Sequence, residues 1–339
     1  TSTGYVANSK GAEMILQEFP LRPLGPQDVE VDIMCSGLCH TDVHMTHNDW
    51  GNAAFPIVPG HEGVGKVSAV GSQVRGLKVG QMVGVGWIRD SCGSCMNCQH
   101  GEENICHKGY TGTIITGGEG GLLNTGTFAH KIRIAERFAF PIPEGMDPVR
   151  TAPLLCAGMT VYQPLRRYIT HPAMRVGVIG IGGLGHLAIK FARAMGAEVY
   201  VFSGSIDKKE ESMQFGGHHF ICSRNPEEMA KVANSLDFIL DTAPASINWE
   251  QYIGILRAGG VLCLVGIPVA SIPVPTVPLV FGQKSVVGSI VAGSYIMNEM
   301  LNFCNINQIY PECEIWKFDK MNEAAQRVLS GKARYRIVL

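Results

Sequence analysis

The sequence has no run of about 18 uninterrupted apolar residues, so no membrane-spanning helix is expected. It also has no excess of either charge: 28 basic against 29 acidic residues leave a formal net charge of −1. A nucleic-acid-binding protein ordinarily carries a clear basic excess, so the electrostatics argue against that partner. Only 17% of residues are charged while 46% are hydrophobic, which excludes disorder as the main state. The polar opening, residues 1–11, lacks the apolar centre of a secretory signal. The 11 cysteines are an odd number in a chain of 339 residues. That fits reduced thiols and metal ligands better than a disulfide framework. Glycine is abundant, at 41 residues, which suggests tight turns and backbone that approaches a ligand closely. At about 150 residues per domain, the length suggests two domains.

The pattern changes near Cys156. Before it, short apolar runs such as Val29–Met34, Gly63–Val70 and Gln81–Val85 are separated by Gly and Pro, the mark of a β-rich, irregular domain. Lys108–Gly126, with two glycine pairs, reads as a loop. After it, six strand candidates alternate with helices: Arg175–Ile179, Glu198–Phe202, His219–Cys222, Asp237–Asp241, Val261–Val265 and Lys284–Ile290. That alternation predicts an α/β fold with a parallel sheet covered on both faces. Asn225-Pro226-Glu227-Glu228 reads as a helix start with a capping box. Helices are expected at Leu184–Met195, Ser294–Asn305 and Met321–Leu329, with a last strand at Tyr335–Leu339.

Gly180-Ile181-Gly182-Gly183-Leu184-Gly185 is a G-x-G-x-x-G between an apolar strand and a helix, the context of a dinucleotide turn. Gly180 would make the tight turn, Gly182 would admit the pyrophosphate, and Gly185 would let helix pack on strand. Gly183 and Leu184 complete the cofactor-binding turn, whose N–H groups face phosphate. The second strand ends on Ser203 rather than on the acid that suits the ribose of NAD. Ser203, Ser205 and Lys208 suit a 2′-phosphate instead, which predicts NADP(H). Asp207 keeps an NAD reading open.

Cys92, Cys95, Cys98 and Cys106 give C-x2-C-x2-C-x7-C, four thiolates able to surround one tetrahedral zinc with no open position. An iron–sulfur cluster fits less well, because the last spacing departs from ferredoxin motifs and Pro does not follow Cys106. A second set is dispersed: Cys39-His40-Thr41-Asp42-Val43-His44, then His61-Glu62, then Cys156. Those are the ligand types of an open, catalytic zinc site, although spacing alone does not bring them together.

These motifs carry a resemblance. CSGLCHTDVH (Cys35–His44), PGHEGVGKV (Pro59–Val67), the clustered cysteines, PLLCAGMTVYQPL (Pro153–Leu165) and GIGGLGHLAIKFARAMG (Gly180–Gly196) resemble zinc-dependent medium-chain alcohol dehydrogenases. Within them they resemble the cinnamyl alcohol dehydrogenase-like branch, over essentially the whole chain. The resemblance implies a Rossmann cofactor domain, residues 158–290, and a β-rich GroES-like catalytic domain, residues 1–157 and 291–339. It implies two zinc ions per chain, with Cys39, His61 and Cys156 holding the catalytic one and Glu62 able to approach it. Asp42 would orient His61, while Thr41 and His44 would relay a proton. Thr160 and Ser289 would lie near the nicotinamide, and Trp50 and Trp87 would line the substrate pocket. Arg336 would meet the pyrophosphate by the same likeness, but stands outside the site residues.

Gly204 departs from the branch, which commonly carries a hydroxyl residue there, and Ile206 interrupts the polar run. The expected function is interconversion of primary alcohols and aldehydes with NADP(H), by a cytoplasmic homodimer joined in part through the apolar stretch Ile272–Phe281. The alternatives are an NAD-dependent alcohol or polyol dehydrogenase, a zinc-free quinone reductase and a non-enzymatic zinc-binding module. Polyol enzymes usually have Glu in place of Cys156. A quinone reductase would lack both cysteine sets, and a bare zinc module has no use for the nucleotide turn.

Overall fold

The computed structural model describes residues 1–114, 125–243, 247–267 and 271–339. Its chain divides into two compact units, Thr1–Met159 with Ala292–Leu339, and Thr160–Val291.

In the second unit, six strands form one parallel sheet in the spatial order His219–Cys222, Glu198–Ser203, Arg175–Ile179, Leu236–Asp241, Leu256–Leu264, Ser285–Gly288. This is the doubly wound order 3-2-1-4-5-6, whose carboxyl edge binds ligands where the strand order reverses. Val176, Val178, Val199, Val201, Ile239, Leu240, Leu262 and Cys263 are buried on both faces of the strands. Such strands read as continuous apolar runs, and that is why the sequence shows them so clearly. One sheet face packs on Trp249, Tyr252, Ile253 and Phe202.

The first unit is built on the eleven-residue strand Asp28–Leu38, which pairs antiparallel with Gly63–Val70, Lys131–Ala135 and the closing strand Arg336–Val338. Its register shifts after Glu30 and again after Ile33, bending the strand as bulges do. The last strand sits opposite Gly37 and Leu38 and so returns the end of the chain beside Cys39.

Two sequence expectations need correction. Glu228 does not close a capping box on Asn225; its Oε2 accepts the Cys222 N–H at 2.7 Å, reaching past the cap to the preceding strand. Asn225 alone caps, accepting from Glu227 N–H. Within the expected loop Lys108–Gly126, Tyr110–Gly112 forms a strand against Ile88–Ser91. The glycine pairs of that stretch, at 117–118 and 120–121, lie outside the described residues. Among the described residues no helix is long and apolar enough to cross a membrane.

Candidate active site and metal centres

Cys39 is the N-cap of helix His40–His47. Asp42, in the first turn, is buried and fully occupied. Its Oδ2 accepts the Cys39 N–H at 2.9 Å; its Oδ1 accepts from Gly60 N–H at 2.9 Å and from His61 Nδ1 at 2.8 Å. Gly60 permits this approach: its φ is +95°, and a Cβ there would lie 2.5 Å from Phe128 N. With Nδ1 donating to Asp42, His61 Nε2 faces Cys156 Sγ, 3.2 Å away. The ligand atoms of Cys39, His61, Glu62 and Cys156 all lie within 4.8 Å of one another.

The electrostatics suit a cation at that point. Burial alone would pull the His61 imidazole down, but the Asp42 carboxylate holds it well above its ordinary range. The two thiols share a hydrogen bond that draws Cys39 down and pushes Cys156 up, as one proton between two sulfurs does. Two sulfurs and an imidazole nitrogen at this separation form the donor set zinc takes in sites with an open position.

Behind them lies a buried ion pair. Arg336 Nη2 donates to Glu62 Oε1, while Glu62 Oε2 and Arg336 Nε have no partner among the described residues. Burial pushes the Glu62 carboxyl up to about 7, against the opposing pull of Arg336. The unpartnered Oε2 leaves this carboxylate an acceptor to spare. Arg336 is thus placed against Glu62.

The other thiol cluster is closed and local. Cys92 Sγ lies 3.9 Å from Cys98 Sγ, and Cys95 Sγ lies 4.0 Å from Cys106 Sγ. Tetrahedral zinc with Zn–S of about 2.3 Å requires sulfur–sulfur edges of about 3.8 Å; a disulfide requires about 2.0 Å. N–H groups of Ser94 and Cys95 draw the Cys92 thiol down to about 5, while burial pushes Cys98 up to about 11. Inside the same loop, buried Glu103 accepts from Ser294 N–H at 2.8 Å and Ser294 Oγ at 2.7 Å, fastening the loop to the start of helix Ser294–Asn307.

In the second unit, Gly180 has φ +88°, and a Cβ on Gly185 would lie 2.0 Å from Gly180 O. Among the described residues, its chain neighbours aside, no atom lies within 4 Å of a Cβ built on Gly182, so that face of the turn is open. At the end of strand Glu198–Ser203, Ser203 Oγ accepts from Ser205 N–H at 3.3 Å. Ser205 Oγ donates to Asp207 at 2.7 Å, which engages that acid. Lys208 Nζ donates to Ile181 O at 2.8 Å and so ties the strand end to the glycine turn. Thr160 begins this unit, and Ser289 N–H donates to Leu264 O at 3.0 Å.

A family model for the alcohol dehydrogenase GroES-like domain matches residues 25–144, and one for zinc-binding dehydrogenase matches residues 183–305. The probable formaldehyde dehydrogenase AdhA of Bacillus subtilis is 41% identical over 94% of this chain and 91% of its own length. NADP-dependent alcohol dehydrogenase C 1 of Mycolicibacterium smegmatis is 40% identical over 100% of this chain and 97% of its own. A cinnamyl alcohol dehydrogenase structure from Sorghum bicolor superposes with a TM-score of 0.94 at 35% identity, covering 99% of this chain and 96% of that one. The chain belongs to the zinc-binding alcohol dehydrogenases. Its branch is the cinnamyl alcohol dehydrogenase-like one.

For this dehydrogenase the remaining expected positions fall as follows. Trp87 is buried edge-on to His61, with ring centroids 5.0 Å apart, and its Nε1 donates to Tyr110 at 3.0 Å. Trp50 is more open, at 37% exposure, and lies against His44. Thr41 and His44 stand three residues apart on one helix, and His44 Nδ1 lies 2.7 Å from Asp49 Oδ2. Sequence reasoning missed Asp49, Tyr110 and Glu103, and the pairing of Arg336 with Glu62. Only Asp49, five residues after His44, had a local signal.

Proposed function

We propose that this chain reduces aldehydes to primary alcohols, and runs the reverse, with NADP(H) at a zinc held by Cys39, His61 and Cys156. The observation that carries the reading is the convergence of those donors, with Glu62, within 4.8 Å. Zinc bound there supplies a Lewis acid for the substrate oxygen, and the nicotinamide supplies or accepts the hydride. The chain's own residues do the rest. Asp42 fixes the tautomer and direction of His61, as hydrogen-bonded ligand partners do. Arg336 neutralises Glu62, so the buried carboxylate can remain beside two thiol ligands. The Thr41 hydroxyl takes up or delivers the substrate proton, and half-buried His44, paired with Asp49, carries it to water. Trp87 packs on His61, and Trp50 beside His44 borders the substrate position. Gly180, Gly182, Gly183, Leu184 and Gly185 receive the pyrophosphate, while Thr160 and Ser289 lie on the nicotinamide side.

Ser203, Ser205 and Lys208 favour the phosphorylated cofactor, in keeping with the NADP-dependent relative. The test is kcat/KM for aliphatic, benzylic and cinnamyl aldehydes with NADPH and NADH. NADPH should be preferred at least about tenfold, one charge-assisted hydrogen bond's worth. Preference for NADH would contradict the cofactor assignment, and Ser203→Asp should move wild type toward it.

The assembly proposed is a homodimer. Helix Thr276–Gly282 buries no residue, and Val277, Val280 and Phe281 are exposed beside the sheet's edge strand Ser285–Gly288. A bare apolar face of that kind ordinarily marks an interface. A monomeric mass by light scattering at micromolar concentration would contradict it. The eleven free cysteines fit a reducing compartment, and the location proposed is the cytoplasm.

A further inference from the structure

Gly204 stands at a position where a hydroxyl residue is common in this branch, which by sequence alone weakens an NADP site. The structure shows what occupies the space a side chain would take. A Cβ built on Gly204 would lie 3.1 Å from Arg224 Nε, 3.6 Å from its Cζ and 3.7 Å from its Nη2. Arg224 comes from the neighbouring strand. Ser203 pairs with Cys222, the last residue of His219–Cys222, and Ser223 N–H donates to Ser203 O at 2.9 Å. Two residues past that pairing, the Arg224 side chain folds back across Gly204. Its guanidinium therefore rests on the carboxyl end of the second strand of a doubly wound sheet, where the cofactor's adenosine ribose is read.

The two cations at this edge are differently engaged. Lys208 Nζ is tied to Ile181 O in the glycine turn. The Arg224 guanidinium has no hydrogen bond or ion pair among the described residues. The Ser203 hydroxyl accepts from Ser205 N–H and keeps its own proton to donate. A planar guanidinium offering paired N–H groups matches a phosphate better than a point charge does.

We propose that Arg224, lying over Gly204, is a further specificity-determining cation for the 2′-phosphate of NADP(H), with Ser203 as its neutral partner. Gly204 is then the opening through which Arg224 reaches the ribose, beside Lys208 at the glycine turn. The inference rests on the NADP reading above, and its test separates the two.

The experiment is calorimetric titration of 2′,5′-ADP and of 5′-AMP into wild type, Arg224→Ala, Arg224→Lys and Lys208→Ala. Neither ligand carries a nicotinamide, so the readout is binding alone. Wild type should bind 2′,5′-ADP more tightly than 5′-AMP. Arg224→Ala should weaken 2′,5′-ADP by about 10- to 100-fold and leave 5′-AMP unchanged, which also shows that the variant is folded. Arg224→Lys should recover part of the loss. Lys208→Ala should leave part of the preference for 2′,5′-ADP in place, because Arg224 remains. If wild type does not distinguish the two ligands, the NADP reading fails and the role of Arg224 falls with it. If wild type favours 2′,5′-ADP but only Lys208→Ala abolishes that preference, the NADP reading stands and the assignment of Arg224 is wrong. Equal weakening of both ligands by Arg224→Ala would likewise overturn it.

Discussion

The two thiol clusters use the same residue types in opposite ways. Cys92, Cys95, Cys98 and Cys106 come from one loop, and backbone N–H groups of that loop draw Cys92 and Cys95 toward the thiolate. Cys39, His61 and Cys156 come from three separate segments, and their surroundings are buried side chains: Asp42 behind His61, and Arg336 on Glu62. The local cluster spends all four donors on closure and leaves no position for a substrate. The dispersed one has two sulfurs, one nitrogen and a carboxylate held by an arginine, so its geometry admits a further ligand. A local set therefore serves stability, while a set gathered by the fold serves chemistry.

The largest expected effect that would break this contrast is on turnover. His61→Ala should lower kcat/KM by about 10³-fold or more, because Lewis-acid polarisation contributes several kcal/mol. NADPH binding, followed by fluorescence, should persist, which also shows that the variant is folded. Substantial retained turnover would place the chemistry elsewhere.

Next in size is the loss of the closed site. Cys98→Ser should destabilise the first unit by several kcal/mol, because metal affinity there is coupled to folding. For a unit of this size that is about 10 °C in Tm. Calorimetry would check it, and an unchanged transition would remove the structural role.

Smaller still is an effect that sharpens the comparison through charge. Glu62 is buried with a guanidinium, whereas buried Asp241 lacks a counter-ion among the described residues: one oxygen accepts Ala243 N–H, and the other has no partner. Burial pushes its carboxyl up to about 6 from 3.8. A carboxyl raised on folding favours the folded state when protonated, and that contribution is lost as pH rises through about 6. Asp241→Asn should therefore stabilise the apoprotein at pH 7–8 by up to about 3 kcal/mol and have no effect near pH 4. Tm measured for both proteins across that range gives the answer; a difference independent of pH would rule out the charge as its cause.

The doubly wound sheet was legible because its central strands are buried on both faces, and Arg175–Ile179 and His219–Cys222 stand as the sequence runs delimit them. The glycine turn and the four-cysteine loop were legible because their geometry is local. The dispersed cluster was readable only as a set of residue types tied together by resemblance, since strand pairing, not spacing, brings His61 beside Cys156. Arg336 shows the limit most clearly. It lies 274 positions from Glu62, and only the pairing of the final strand with Gly37 and Leu38 joins them. Arg224 was silent for the same reason: its relation to Gly204 exists only across two neighbouring strands.

Metal analysis by plasma mass spectrometry on wild type, Cys98→Ser and His61→Ala tests the division of labour most directly, with Tm and turnover taken on the same samples. Two four-donor groups predict two zinc ions in wild type and one in each variant. Turnover should be lost in His61→Ala while its NADPH binding persists, and Cys98→Ser should lose the closed site's zinc together with Tm. One zinc in wild type, or an active His61→Ala protein that still holds two, would contradict the account.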